Sequence, residues 1–262
     1  MNQIALEAHN LTVSYAKKAV LWNMDFKIPT GKMVGILGPN GSGKTTLLKC
    51  AMNLLEADGG YTKLLNEDLS TVRDKISFVP QRQSVDWDFP ISVEEVVEMG
   101  LFKAKSWRQK STKTNQEKIA AALEQVEMQS FAKKQIGELS GGQQQRVFIA
   151  RALVRDADLY LLDEPYVGID AATEKKISSL LKSLVAKGKS VITVHHDLKS
   201  VSEYYDWLLM MNNHVIANGP CNEVYTPENI AKTYDNSKNP IDILSDILFK
   251  EKVDIKSYKD KV

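Results

Sequence analysis

Residues 32–55 read KMVGILGPNGSGKTTLLKCAMNLL. The stretch opens on the apolar run Met33–Leu37 and closes on leucines and other helix formers. Between them Gly38–Thr45, GPNGSGKT, fits the pattern G-x-x-x-x-G-K-[ST]. Strand, glycine-rich loop and helix in that order build an anion cradle. Glycines let backbone N–H groups turn towards a ligand, and the first turn of a helix leaves its N–H groups without partners. Gly38, Pro39, Asn40, Gly41, Ser42, Gly43 and Thr46 form the expected cradle. Lys44 supplies a point charge to β and γ phosphates, and Thr45 offers a hydroxyl to Mg2+. The stretch predicts a nucleotide site within an α/β fold.

Upstream, IALEAHNLTVSY (4–15) and VLWNMDFKI (20–28) alternate in part and are rich in strand formers, which predicts an antiparallel region. Downstream, YTKLLN (61–66) and ISFVPQ (76–81) read as further strands. From Arg82 to Ile136 the character changes to SVEEVVEMGLF, a lysine-rich linker and NQEKIAAALEQVEM at helical period, an inserted helical subdomain. DLYLLDEP (158–165) and SVITVHHD (190–197) are buried strands around the amphipathic helix TEKKISSLLKSLVAKG (173–188). Strand and helix in alternation predict a mostly parallel core. WLLMMNNHVIANG (207–219) predicts a hairpin across Asn212 and Asn213, with short helices at CNEVY and PENIAKTY after it. The domain is expected to span residues 4–234, and residues 235–262 to form a partly disordered extension.

At 262 residues, one domain with an insertion fits better than two domains. A formal net charge of +1 gives no electrostatic argument for nucleic acid, so none is expected as a partner. Cys50 and Cys221 match neither a metal spacing nor a disulfide framework and read as reduced thiols of a cytosolic protein. MNQIALEAHNLTV carries no secretory signal, and no apolar stretch approaches the roughly 20 residues that cross a bilayer. Any work at a membrane is expected to be done from its side.

Two further motifs carry chemistry. LYLLDE (159–164) ends an apolar strand in two carboxylates: Asp163 is placed to hold Mg2+, and Glu164 to polarise an attacking water. LSGGQ (139–143) reads as a second helix start stripped of side chains, about twenty residues before that pair.

These three motifs in this order make the chain resemble the ATP-binding subunit of an ABC transporter, from Leu6 to about Tyr234. The resemblance implies ATP and Mg2+ as cofactors. It implies a head-to-tail pair of copies, with ATP between the P-loop of one and Ser140, Gly141, Gly142 and Gln143 of the other. It assigns Tyr15 to stack on adenine, Gln81 to touch Mg2+ and the attacking water, His196 to contact the γ-phosphate, and Asp170 to the loop that crosses the interface. His196 is chosen over His195 because an aspartate follows it; His195 reads as a satisfied core or strand-end residue. Tyr166 and Val167 depart from the small or hydroxylated residues more usual in the family. The stretch RQSVDWDFPISVEEVVEMG (82–100) is similar to that of ATPases serving manganese, zinc and iron permeases, with Trp87 and Phe89 as expected docking anchors. That implies an importer subunit peripheral to the cytoplasmic face of the cell membrane, with permease subunits and a solute-binding protein as partners. The alternative is a soluble ABC ATPase of iron–sulfur cluster assembly.

Overall fold

Met33–Leu37 is buried at all five positions and lies in the middle of the larger of two sheets in the computed structural model. The structure describes residues 3–15, 18–102 and 113–234; most of the expected lysine-rich linker and the whole extension from Asp235 lie outside them. In chain order the strands are β1 (Ile4–Tyr15), β2 (Lys18–Pro29), β3 (Met33–Leu37), β4 (Gly59–Leu64), β5 (Ile76–Val79), β6 (Leu159–Leu162), β7 (Ser190–Val194), β8 (Trp207–Met211) and β9 (Val215–Pro220). The helices are α1 (Lys44–Ala51), α2 (Leu69–Val72), α3 (Val93–Glu98), α4 (Lys113–Gln125), α5 (Gly141–Leu153), α6 (Ala171–Ala186), α7 (Val201–Tyr204), α8 (Cys221–Val224) and α9 (Pro227–Tyr234).

The larger sheet runs β5-β6-β7-β3-β8-β9, parallel from β5 to β8, with β9 antiparallel at its edge. The parallel strands β5, β6, β7, β3 and β8 are buried at nearly every position, which is why most of them read as apolar runs. Successive side chains divide between two layers, as the two-residue period of a strand requires. Met33, Leu37, Tyr160, Leu162 and Val191 face one core, with α5 and α6. Val34, Ile36, Leu159, Leu161 and Ile192 face the other, shared with α1 and the antiparallel sheet β2-β1-β4.

Residues 82–136 contribute α3 and α4, and no strand of either sheet among the described residues. Ser92 and Glu95 close a capping box at the start of α3, the reciprocal pairing that S-x-x-E favours. Val93, Val97, Leu123 and Ile136 join the first core rather than building one of their own. Helix α1 stops at Ala51, short of the expected run to Leu55, because Asn53 turns left-handed at φ 51°. The β8–β9 hairpin turns at Asn212–His214 and braces the loop after β3, where Asn213 N donates to Ser42 O at 3.1 Å.

Candidate nucleotide site

The loop that follows β3 is fixed by close approach. A Cβ at Gly43 would meet Leu21 Cδ2 at 2.4 Å, and its φ of +94° is one that only glycine adopts freely. Gly43 thereby hands the chain into α1, whose free N–H groups face the loop. Lys44 is 5% exposed, and its ammonium donates to Gly38 O and Pro39 O, both at 2.8 Å. Burial lowers its pKa, opposed by the carboxylates of Glu164 and Asp163. A cleft of about 780 Å³ opens here, lined by the loop, Thr45, Thr46, Gln81, Glu164 and His196. That is the volume of a site for a small organic ligand.

The other wall comes from the carboxyl ends of three parallel strands. After β6, Asp163 is 1% exposed and accepts from Thr45 Oγ1 at 3.2 Å. Burial pushes its carboxyl up to about 6, against the pull of the Thr45 hydroxyl. Glu164 turns left-handed at φ 55°, a conformation that costs a non-glycine residue energy and that clusters at working sites. It accepts from Gln81 Nε2 at 3.0 Å, after β5, and pairs with His196 Nε2 at 2.5 Å, after β7. The next-door His195 does not line the cleft. It is 4% exposed, pairs with Ser200 Oγ at 2.7 Å and meets the Tyr166 ring edge-on at 5.5 Å. Burial holds it down at about 4, neutral in the fold.

The signature residues do not line this cleft. Ser140 caps α5 in a capping box with Gln143, exposed to solvent. Gly141 and Gly142 are explained within the chain: a Cβ on the first would lie 2.9 Å from Arg82 Cζ, and on the second 2.6 Å from Gly168 O. Tyr15, 46% exposed at the end of β1, also stands outside the lining. Asp170 caps α6, accepting from the Ala172 and Thr173 N–H groups. The expectation of paired docking anchors is corrected at Trp87. Its indole packs on Phe148 at 4.8 Å between centroids, and Nε1 donates to Arg82 O at 2.9 Å, so it is structural. Phe89 remains 59% exposed. Sequence reasoning missed Tyr234, which ends α9 and lines the cleft. It missed Arg82 as a partner of the signature helix as well. Neither carries a local pattern.

A family model described as ABC transporter matches residues 21–167, which include the loop, Gln81, the signature, Asp163 and Glu164 but not His196. The manganese transport system ATP-binding protein of Bacillus subtilis is 48% identical over 229 residues, 87% of this chain and 92% of that one. The zinc transport system ATP-binding protein of Treponema pallidum is 47% identical over 230 residues, 88% and 86% respectively. The structure of a nucleotide-free ATP-binding cassette from an ABC transporter superposes with a TM-score of 0.73 at 26% identity, covering 89% of this chain and 95% of that one. With Lys44, Gln81, Glu164 and His196 lining one cleft and Asp163 held on Thr45 beside it, the chain belongs to the ABC transporter family, as an ATP-binding and ATP-hydrolysing subunit.

Proposed function

We propose that this subunit drives import of a transition metal, manganese or zinc first and iron by the same likeness. In this reading it works on the cytoplasmic face of the cell membrane, docked on permease subunits and supplied by a solute-binding protein. The names of the relatives support manganese and zinc. Phe89, Met99 and Phe102, all about half exposed or more, support a docking face.

The observation that carries the mechanism is the separation of the cleft residues from the signature residues of the same chain. One copy gathers Lys44, Thr45, Gln81, Glu164 and His196 around a cleft, while its own Ser140 stands exposed outside that lining. A second copy related by a twofold axis would bring its Ser140, Gly141, Gly142 and Gln143 over the γ-phosphate and so complete two equal sites. Lys44 binds the β and γ phosphates, and Tyr15 stacks on adenine. Glu164 takes a proton from the attacking water, and His196 holds that carboxylate and reaches the γ-phosphate. Thr45, Asp163 and the side-chain amide oxygen of Gln81, whose nitrogen is the end that goes to Glu164, fit Mg2+. They are hard oxygen donors, and a carboxyl pushed up to about 6 by burial is one that a divalent cation returns to its charged form. When bound there, the ion neutralises charge on the phosphate oxygens.

Mixing Ser140→Arg protein with Lys44→Ala protein tests the division. Each alone is inactive, and the mixed pair holds one site with both halves intact, so ATPase activity should return. Mixed pairs that form but stay inactive would refute it. Loss of manganese or zinc accumulation in cells carrying Lys44→Ala tests the cargo, and normal accumulation of both and of iron would remove it.

A further inference from the structure

Arg82 ties the nucleotide cleft to the signature helix of its own chain. Its Nε and Nη2 both donate to Gln144 Oε1, at 3.1 and 2.8 Å. Gln144 is 3% exposed, and its Nε2 donates to Ile136 O at 3.2 Å, so the acceptor is anchored from behind. The Arg82 carbonyl accepts from Trp87, whose ring rests on Phe148 of the same helix. Opposite Arg82, Gly142 abuts the carbonyl of Gly168. One residue back in the chain is Gln81, whose amide holds Glu164.

The Ser140–Gln143 capping box closes the first turn of the helix locally, but its two glycines bring no side chains to fix how that turn sits against the rest of the chain. Arg82 beside Gly141 and the Gly168 carbonyl beside Gly142 supply those contacts. A planar guanidinium can place two N–H groups on one oxygen; the point charge of a lysine cannot. We propose that Arg82 is a positioning residue for Ser140–Gln143, and that it therefore serves the ATP held by a second copy rather than the ATP in its own cleft. The proposal rests on the two-copy reading above.

Complementation separates the two readings. Arg82→Met homodimers should lose about 100-fold in kcat, the scale of a small misplacement of a contacting group, with the ATP Kd of the monomer unchanged. Mixed with Lys44→Ala protein, Arg82→Met supplies an intact cleft and the partner an intact signature. Activity should then rise at least about 10-fold above either protein alone. Ser140→Arg with Lys44→Ala is the control. If the control recovers and the Arg82→Met mixture, with mixed pairs detected, does not, Arg82 acts on its own Gln81 and the proposal is overturned. If neither recovers, the two-copy reading fails and takes the proposal with it. Wild-type kcat in Arg82→Met homodimers would also overturn it. Should Arg82→Met melt early, Arg82→Lys, which keeps charge and stem but not the fork, carries the same test with the same outcomes.

Discussion

Replacing Trp87 by alanine removes a ring packed on Phe148 and the hydrogen bond from its Nε1 to Arg82 O. Truncating a fully buried aromatic costs about 3–5 kcal/mol. Trp87 is part-buried, which brings the expected loss to about 2–3 kcal/mol, and in a chain of this size Tm should fall by roughly 5–10 °C. Phe89, two residues on, is 59% exposed. Its truncation should change stability by no more than about 0.5 kcal/mol. The two variants should therefore separate. Thermal unfolding followed by circular dichroism reads the first effect, and co-sedimentation with permease-containing membranes reads the second. Trp87→Ala should melt early. Phe89→Ala should melt with the wild type and leave the membrane fraction. A Phe89→Ala protein that melts earlier than Trp87→Ala would refute the assignment of one ring to the core and the other to the docking face.

Lys44→Ala should weaken ATP binding about 100-fold, since it removes a charged donor from phosphates bound in every state; titration calorimetry measures it. Tyr15→Ala should raise the Kd for ATP about 10-fold at most and Tyr15→Phe should leave it unchanged, the pattern of a stacking ring, read with a fluorescent nucleotide. His195 is held down at about 4 in the fold, from 6.5, so the unfolded chain takes up its proton first as pH falls. The stability it supports is complete above about pH 6.5 and is lost on the way to pH 4, by about 3 kcal/mol. Asp163, pushed up to about 6, acts with the opposite sign, so the His195 contribution is the difference in acid unfolding between wild type and His195→Gln.

Local patterns were legible and long-range contacts were not. β3, the glycine loop and α1 are contiguous, so strand, cradle and charge could be read in one pass. The buried run before Asp163 marked β6 because a strand covered on both faces has no polar alternation. Nothing in the sequence marks the left-handed turn at Glu164, which depends on what surrounds it. The contacts of Arg82 with Gln144, and of Tyr234 with the cleft, join segments far apart in the chain. The packing of Trp87 is of the same kind: nothing local in DWDF shows that the fold brings Phe148 against its ring. The choice between His195 and His196 rested on likeness; in the structure His196 lines the cleft and pairs with Glu164, while His195 is buried against Ser200.

The sandwich itself is tested most directly by size-exclusion chromatography of Glu164→Gln protein with and without ATP. The amide cannot take a proton from water, so hydrolysis should fall at least about 100-fold while ATP still binds. With the reaction stopped, the two copies should stay closed, and ATP should move the protein from its 29.4 kDa protomer to a species twice that mass. Adding Ser140→Arg to the same chain should return it to the protomer. A Glu164→Gln protein saturated with ATP that still elutes as a protomer would contradict the account.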